Sequence, residues 1–132
     1  MMKRIAAIGM AAGTVAAGLA LMGAQPPAAL AQASGGVWEL SGLPGGTLRQ
    51  CFSDAAALAV IEHRGKNCTR SVLSDGPNQA VIHYTCAGGG FGDSKLTLLT
   101  PRSLRIETQG ISDQLPFNYV VQARRVGDCN GR

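Results

Sequence analysis
The chain is 132 residues long, with 45% hydrophobic, 15% charged and 5% aromatic residues and a formal net charge of +4. That length fits one domain, and a charged fraction well under the roughly 25% of an ordinary soluble domain excludes a charge-rich disordered chain. Without Lys3 and Arg4, ten basic residues face eight acidic ones, and the remaining +2 argues against a nucleic-acid or acidic-polymer partner.

In chain order, the first element is a targeting signal. Lys3 and Arg4 precede an uncharged stretch, residues 5–24, made of Ala, Gly, Leu, Ile, Val, Met and Thr14. Gln25, Pro26 and Pro27 break it. Ala29-Leu30-Ala31 and Ala31-Gln32-Ala33 then each place small residues at −3 and −1 of a cleavage site. The expectation is a signal peptide over residues 1–31, cut after Ala31 or alternatively after Ala33. A single domain over 32–132 would then reach the periplasm or be secreted. A transmembrane anchor is the competing reading, since about 20 uncharged residues can span a bilayer. The weakly apolar Ala and Gly content, the Pro break and the small-residue sites oppose it, and no later segment is long enough to span.

Short strands are predicted at 37–41 and 47–52, around Leu43-Pro44-Gly45-Gly46. Residues 53–63 are Ala-rich and read as a helix, with Ser53 as N-cap, Asp54 in the first turn, Gly65 at the stop, and Leu58 and Ile61 as the buried stripe. Strands at 68–75 and 79–86 flank Gly76-Pro77-Asn78, a strong turn signal. A hairpin centred on Pro77 sets 68 opposite 86, 70 opposite 84 and 72 opposite 82. Val72, Ile82 and Tyr84 then share a buried face, and Ser71, His83 and Thr85 the wet one. Three further strands are predicted at 94–100, 103–108 and 117–125, separated by Pro101-Arg102 and by residues 110–116. The fold class is mainly β (α+β): a curled, barrel-like antiparallel meander of about seven strands with one short helix. Its last strand would lie beside its first.

Cys51, Cys68, Cys86 and Cys129 read as two disulfides in an exported small domain. Gaps of 17, 18 and 43 residues are too wide for the two close pairs of a zinc site. The hairpin register makes Cys68 and Cys86 cross-strand neighbours, which leaves Cys51 for Cys129. Cys51–Cys68 with Cys86–Cys129 is the alternative.

Gly36-Val37-Trp38-Glu39, Gln50-Cys51 before a helix, the Cys68/Cys86 hairpin, Gly92-Asp93-Ser94 and the closing Arg125-Val126-Gly127-Asp128-Cys129 occur in one order. In that set the chain resembles a family of small exported proteobacterial proteins, domain of unknown function 3617, over nearly all of residues 35–129. The resemblance implies an envelope or secreted location and a compact, mainly β domain. It implies no activity and carries over no functional residue.

Catalytic, cofactor and metal residues are not expected. His63 and His83 are the sole histidines. His63 is placed at a helix C-terminus, where its charge suits the dipole, and His83 on an exposed strand face. A Ser/His/Asp set exists in composition, but no Gly-x-Ser-x-Gly elbow accompanies it. Glu62-His63 lacks the second histidine of a zinc-protease helix. The run Gly88-Gly89-Gly90-Phe91-Gly92 has no Gly-Lys-Ser/Thr and reads as a bulged strand connection. Asn67-Cys68-Thr69 matches a glycosylation sequon, which a bacterial-looking signal and a bridged Cys68 argue against. Trp38 reads as core, and Arg124-Arg125 as a solvated strand end.

Three function classes follow. The first is a non-enzymatic module of the envelope that binds a small apolar ligand or an envelope protein through the Val72/Ile82/Tyr84 face. The second is a purely structural or stress-protective periplasmic protein. The third, ranked last, is a hydrolase with a dispersed site. A cavity of several hundred Å3 on that face would favour the first, a filled sheet–helix core the second, and convergent Asp, His and Ser side chains the third.

Overall fold
The computed structural model describes residue 13 and residues 26–130; the stretch carrying Lys3 and Arg4 and most of the uncharged run lie outside the described residues. Seven strands are present: β1 (Gly36–Ser41), β2 (Leu48–Phe52), β3 (Cys68–Asp75), β4 (Gln79–Cys86), β5 (Phe91–Thr100), β6 (Ser103–Ser112) and β7 (Leu115–Gly127). They form one antiparallel sheet in the order β2-β1-β7-β6-β5-β4-β3. A single helical turn, α1 (Ala28–Ala31), precedes β1, and a 3₁₀ segment (Ala55–His63) joins β2 to β3.

The last strand does lie beside the first, yet the sheet does not close into a barrel. β2 and β3 are free edges on opposite sides. The short segment joining them must cross the inner face, and it fills the space that a closed barrel would give to strand side chains.

That crossing builds the core. Leu58 and Ile61 of the 3₁₀ segment are fully buried and belong to one apolar cluster with Trp38, Leu40, Leu96, Ile106 and Val121 from the sheet. They stand three positions apart across an interruption at Val60, and both still turn into that cluster. The predicted N-cap is corrected by one residue. Asp54, in extended backbone, accepts the Ala57 N–H at 3.0 Å, whereas Ser53 stands one position too early. Val60 interrupts the segment with φ −112° and ψ 29°.

Both disulfides pair as the hairpin register requires: Cys68–Cys86 with Cα atoms 3.9 Å apart and Cys51–Cys129 with Cα atoms 5.6 Å apart. The Cys86 amide donates to Gly90 O instead of across to β3, so Cys68 and Cys86 form a non-hydrogen-bonded pair, the closer kind.

Strands β5, β6 and β7 run longer than their sequence patterns. Residues 110–116 are not a loop, because Asp113 and Gln114, with φ of 49° and 68°, turn the chain in two residues. Pro116 is tolerated in β7, opposite Ile111, since β1 covers β7 only from Gln122 onward and no second neighbour needs its missing N–H.

The first strand is clamped to the end of the last. Arg125 is not solvated: its side chain is 13% exposed, its Nε donates to Gly35 O at 3.0 Å, and its guanidinium pairs with Asp128. Arg124 lies 3.5 Å from Glu39, which also accepts from Arg49 at 2.7 Å. Hydrogen bonds from Arg49 and Arg125 hold the Glu39 and Asp128 carboxyls, respectively, below the ordinary carboxylate range.

Candidate ligand cleft at the β3–β4 end
The register of the β3–β4 hairpin matches its sequence prediction from Cys68–Cys86 through Arg70–Tyr84 to Val72–Ile82; beyond a bulge between Val72 and Ser74 it shifts by one and sets Asp75 opposite Ala80 instead of Gln79. Directly opposed residues share a face, so these side chains line the inner side of the sheet. Their environments diverge sharply. Ile82 is buried, whereas Val72 is 49% exposed. Val72 therefore departs from the predicted buried face, because β3 is an edge strand and the 3₁₀ segment does not reach over it.

What remains uncovered is a cleft of 450 Å3 lined by Pro26, Pro27, Asp54, Ala56, Arg70, Val72 and Ile82. Its lining is mainly apolar. Asp54 is engaged in capping, and Arg70 takes part in none of the ion pairs among the described residues. Arg70 went unremarked in the sequence, although strand alternation with Val72 was the signal that could have found it.

Tyr84, expected to face a ligand, does not. It is fully buried, and its hydroxyl lies 2.9 Å from His63 Nδ1. His63 Nε2 is 3.1 Å from Ile111 O, an acceptor only. The network therefore assigns the ring proton to Nε2, and Nδ1 accepts the Tyr84 O–H. His63 is 3% exposed, a buried link between Tyr84 and Ile111 and not the solvated cap expected from its place at a helix end. Two glycines make room for the pair: a Cβ on Gly90, where φ is +99°, would sit 2.7 Å from His63 Nε2, and one on Gly92 would sit 2.5 Å from Tyr84 Oη. Burial, reinforced by the Glu62 charge, pushes the Tyr84 hydroxyl up to about 12. Tyr119 is raised too, by burial and by the hydrogen bond it donates to Glu62 at 2.7 Å. Neutral phenols locked in hydrogen bonds hold the fold together; they are poor proton carriers at neutral pH.

On the opposite, solvent-facing side, Ser71, His83 and Asp93 sit in line across β3, β4 and β5. His83 Nδ1 contacts Asp93 Oδ1 at 2.7 Å, but no hydrogen bond joins Ser71 to His83. The three residues that a dispersed hydrolase would need are adjacent in register without forming a nucleophile–base contact. Among the described residues no three His, Cys, Asp or Glu side chains gather as a metal site, and no helix is long and apolar enough to cross a membrane. Trp38 is fully buried, with Nε1 donating to Ser34 O at 3.2 Å.

Comparison with protein-family models, with curated proteins and with solved structures finds no match to this chain.

Proposed function
We propose that this protein is an exported, non-enzymatic binding module that takes an apolar ligand in the cleft at the β3–β4 end of the sheet. The observation that carries the reading is the hollow floored by Val72, Ile82 and Ala56, 450 Å3 with Pro26 and Pro27 in place as one wall. Its size is within the range of small-molecule sites, and its mainly apolar lining with one convergent cation suits an apolar body with a polar end. Two disulfides support the oxidising compartment that export would provide. The resemblance to the four-cysteine exported family supports the same location.

The filled core beneath the 3₁₀ segment favours a second reading, a structural or stress-protective protein without a ligand. Two measurements separate them. Native mass spectrometry of the protein from its own envelope should reveal a retained ligand. Anilinonaphthalene sulfonate should bind the protein and lose at least about tenfold in affinity in Val72→Asp, since a buried carboxylate would face the apolar probe. No retained mass, together with dye binding indifferent to Val72→Asp, would establish the structural reading. N-terminal sequencing of the exported form should begin at Gln32 or Ser34.

A further inference from the structure
The residues just before the expected cleavage site are packed like core. Ala29 is fully buried, and Leu30, 2% exposed, belongs to the same apolar cluster as Leu58 and Ile82. Yet α1 is four residues long, far too short to be helical on its own. Its conformation comes from its seat against β4, β5 and the 3₁₀ segment. Two polar contacts fix the pose, both to the β3–β4 hairpin: the Ala28 N–H donates to Asp75 Oδ1 at 2.6 Å, and Gln32 Nε2 donates to Pro77 O at 2.7 Å. Pro26 and Pro27, immediately upstream, form one wall of the cleft.

We infer that residues 27–31 are a removable, self-supplied occupant of this seat, and that cleavage after Ala31 opens it to an apolar polypeptide segment bound in the same pose. The inference rests on the binding-module reading and names its ligand class. An export peptidase would hydrolyse the Ala31–Gln32 amide, water adding its hydroxyl to the Ala31 carbonyl carbon and a proton to the Gln32 nitrogen. Departure of the leader would take away Leu30, Ala29 and the Pro26–Pro27 wall together, so the Leu30 hollow and the cleft would become one continuous groove.

The chemistry left behind selects the ligand. Gln32 stays on the processed chain and keeps Pro77 O occupied, so the acceptor set free is Asp75 Oδ1, and the groove asks for N–H donors beside it. A backbone supplies them and a fatty acid does not. Arg70, on the cleft wall with Pro26 and Pro27, is positioned for a backbone carbonyl near the N-terminal end of such a segment. At the Ala29 position burial is complete, so the preferred segment carries a small residue immediately before a Leu-like one.

The probe is the blocked peptide Pro-Pro-Ala-Ala-Leu-Ala, titrated calorimetrically into the processed protein recovered from its host and into the unprocessed full chain. The processed form should bind it, the unprocessed form should not, and replacing the peptide's Leu by Asp should weaken binding at least about tenfold. Leu30→Asp in the full chain should undock the leader and restore peptide binding. Should that variant fail to fold, Asp75→Ala in the processed protein, on the exposed hairpin rim, should weaken the peptide several-fold without changing the melting temperature. Equal binding to both forms, or a processed chain that begins upstream of Pro26, would overturn the inference. Laurate bound in a Val72-dependent way with no peptide binding would overturn the polypeptide assignment and keep the binding module; binding of neither probe, with no retained mass, would remove both.

Discussion

The two ends of this sheet are hydrogen-bonded alike and buried very differently. From β1 through β7 and β6 to β5 the inner face shares one apolar cluster with Leu58 and Ile61 of the crossing 3₁₀ segment, and Trp38, Leu40, Leu96, Ile106 and Val121 are fully buried. Along β3 the ladder to β4 is unbroken but for one bulge, yet no residue of β3 is buried. Register decides which side chains share a face; the element laid across the face decides which of them leave water. The cover stops short of β3, and the cleft begins where it stops.

The largest test of that contrast lies in the two disulfides. Cys51–Cys129 closes 78 residues around the covered end, and Cys68–Cys86 closes 18 residues within the open hairpin. Chain entropy alone assigns about 4.5 kcal/mol to the first loop and about 3 kcal/mol to the second. Denaturant melts of Cys51→Ser/Cys129→Ser should therefore show a loss larger by about 1 kcal/mol than melts of Cys68→Ser/Cys86→Ser. A reversed order would mean that the hairpin, open as it is, holds the fold.

Side-chain truncation should separate the ends more directly. Leu58→Ala removes fully buried methyl groups at the centre of the cluster and should cost about 3 kcal/mol. Val72→Ala, on the half-exposed edge strand, should change stability by no more than about 0.5 kcal/mol while weakening any cleft ligand. Equal losses in urea titrations would show that the edge strand is covered in solution.

Between the two ends stands the His63–Tyr84 link. Tyr84→Phe deletes the hydroxyl that donates to His63 Nδ1 and leaves a buried acceptor unpaired, at a cost of about 1–3 kcal/mol. The same hydroxyl gives a pH signature. Its folded value of about 12 exceeds the ordinary 10, so the native protein keeps a proton that the unfolded chain releases. Its contribution is present in full below pH 10 and is lost as the pH climbs toward about 12. The stability gap between wild type and Tyr84→Phe should therefore narrow across that window. A gap that widens would place the proton differently.

Much of this arrangement was legible in residues 68–86, where Gly76-Pro77-Asn78 fixes a turn and alternation from Cys68 to Val72 fixes the faces. The bounds of β3 and β4, every opposed pair from Cys68–Cys86 to Val72–Ile82, and both disulfides follow from that one hairpin. Elsewhere local pattern misled. Asp113-Gln114 lacks the glycine that usually announces a two-residue turn, so two strand ends read as loop. Tyr84 and His63 carry polar groups that look available in a sequence and are mutually satisfied in three dimensions. Leu30 reads as leader by composition, and only its seat on β4 and β5 reveals it as a packed side chain. Whether an alternating strand is buried depends on a remote crossover, and no periodicity within the strand encodes it.

The smallest effect tests where the cover begins. The 3₁₀ segment starts at Asp54, whose carboxylate accepts the Ala57 N–H while the residue itself lines the cleft. Asp54→Ala leaves that N–H only its longer bond to the backbone carbonyl of residue 54, at 3.2 Å, and should cost about 1 kcal/mol, the ordinary worth of an N-cap. Ser53→Ala, one residue earlier and without a capping contact, should be close to neutral. Asp54→Asn keeps an oxygen acceptor and should recover most of the loss. Thermal melts of the three variants rank them. If Ser53→Ala proved the costlier change, the segment would begin a residue earlier in solution, and the cleft wall formed by Asp54 and Ala56 would shift with it.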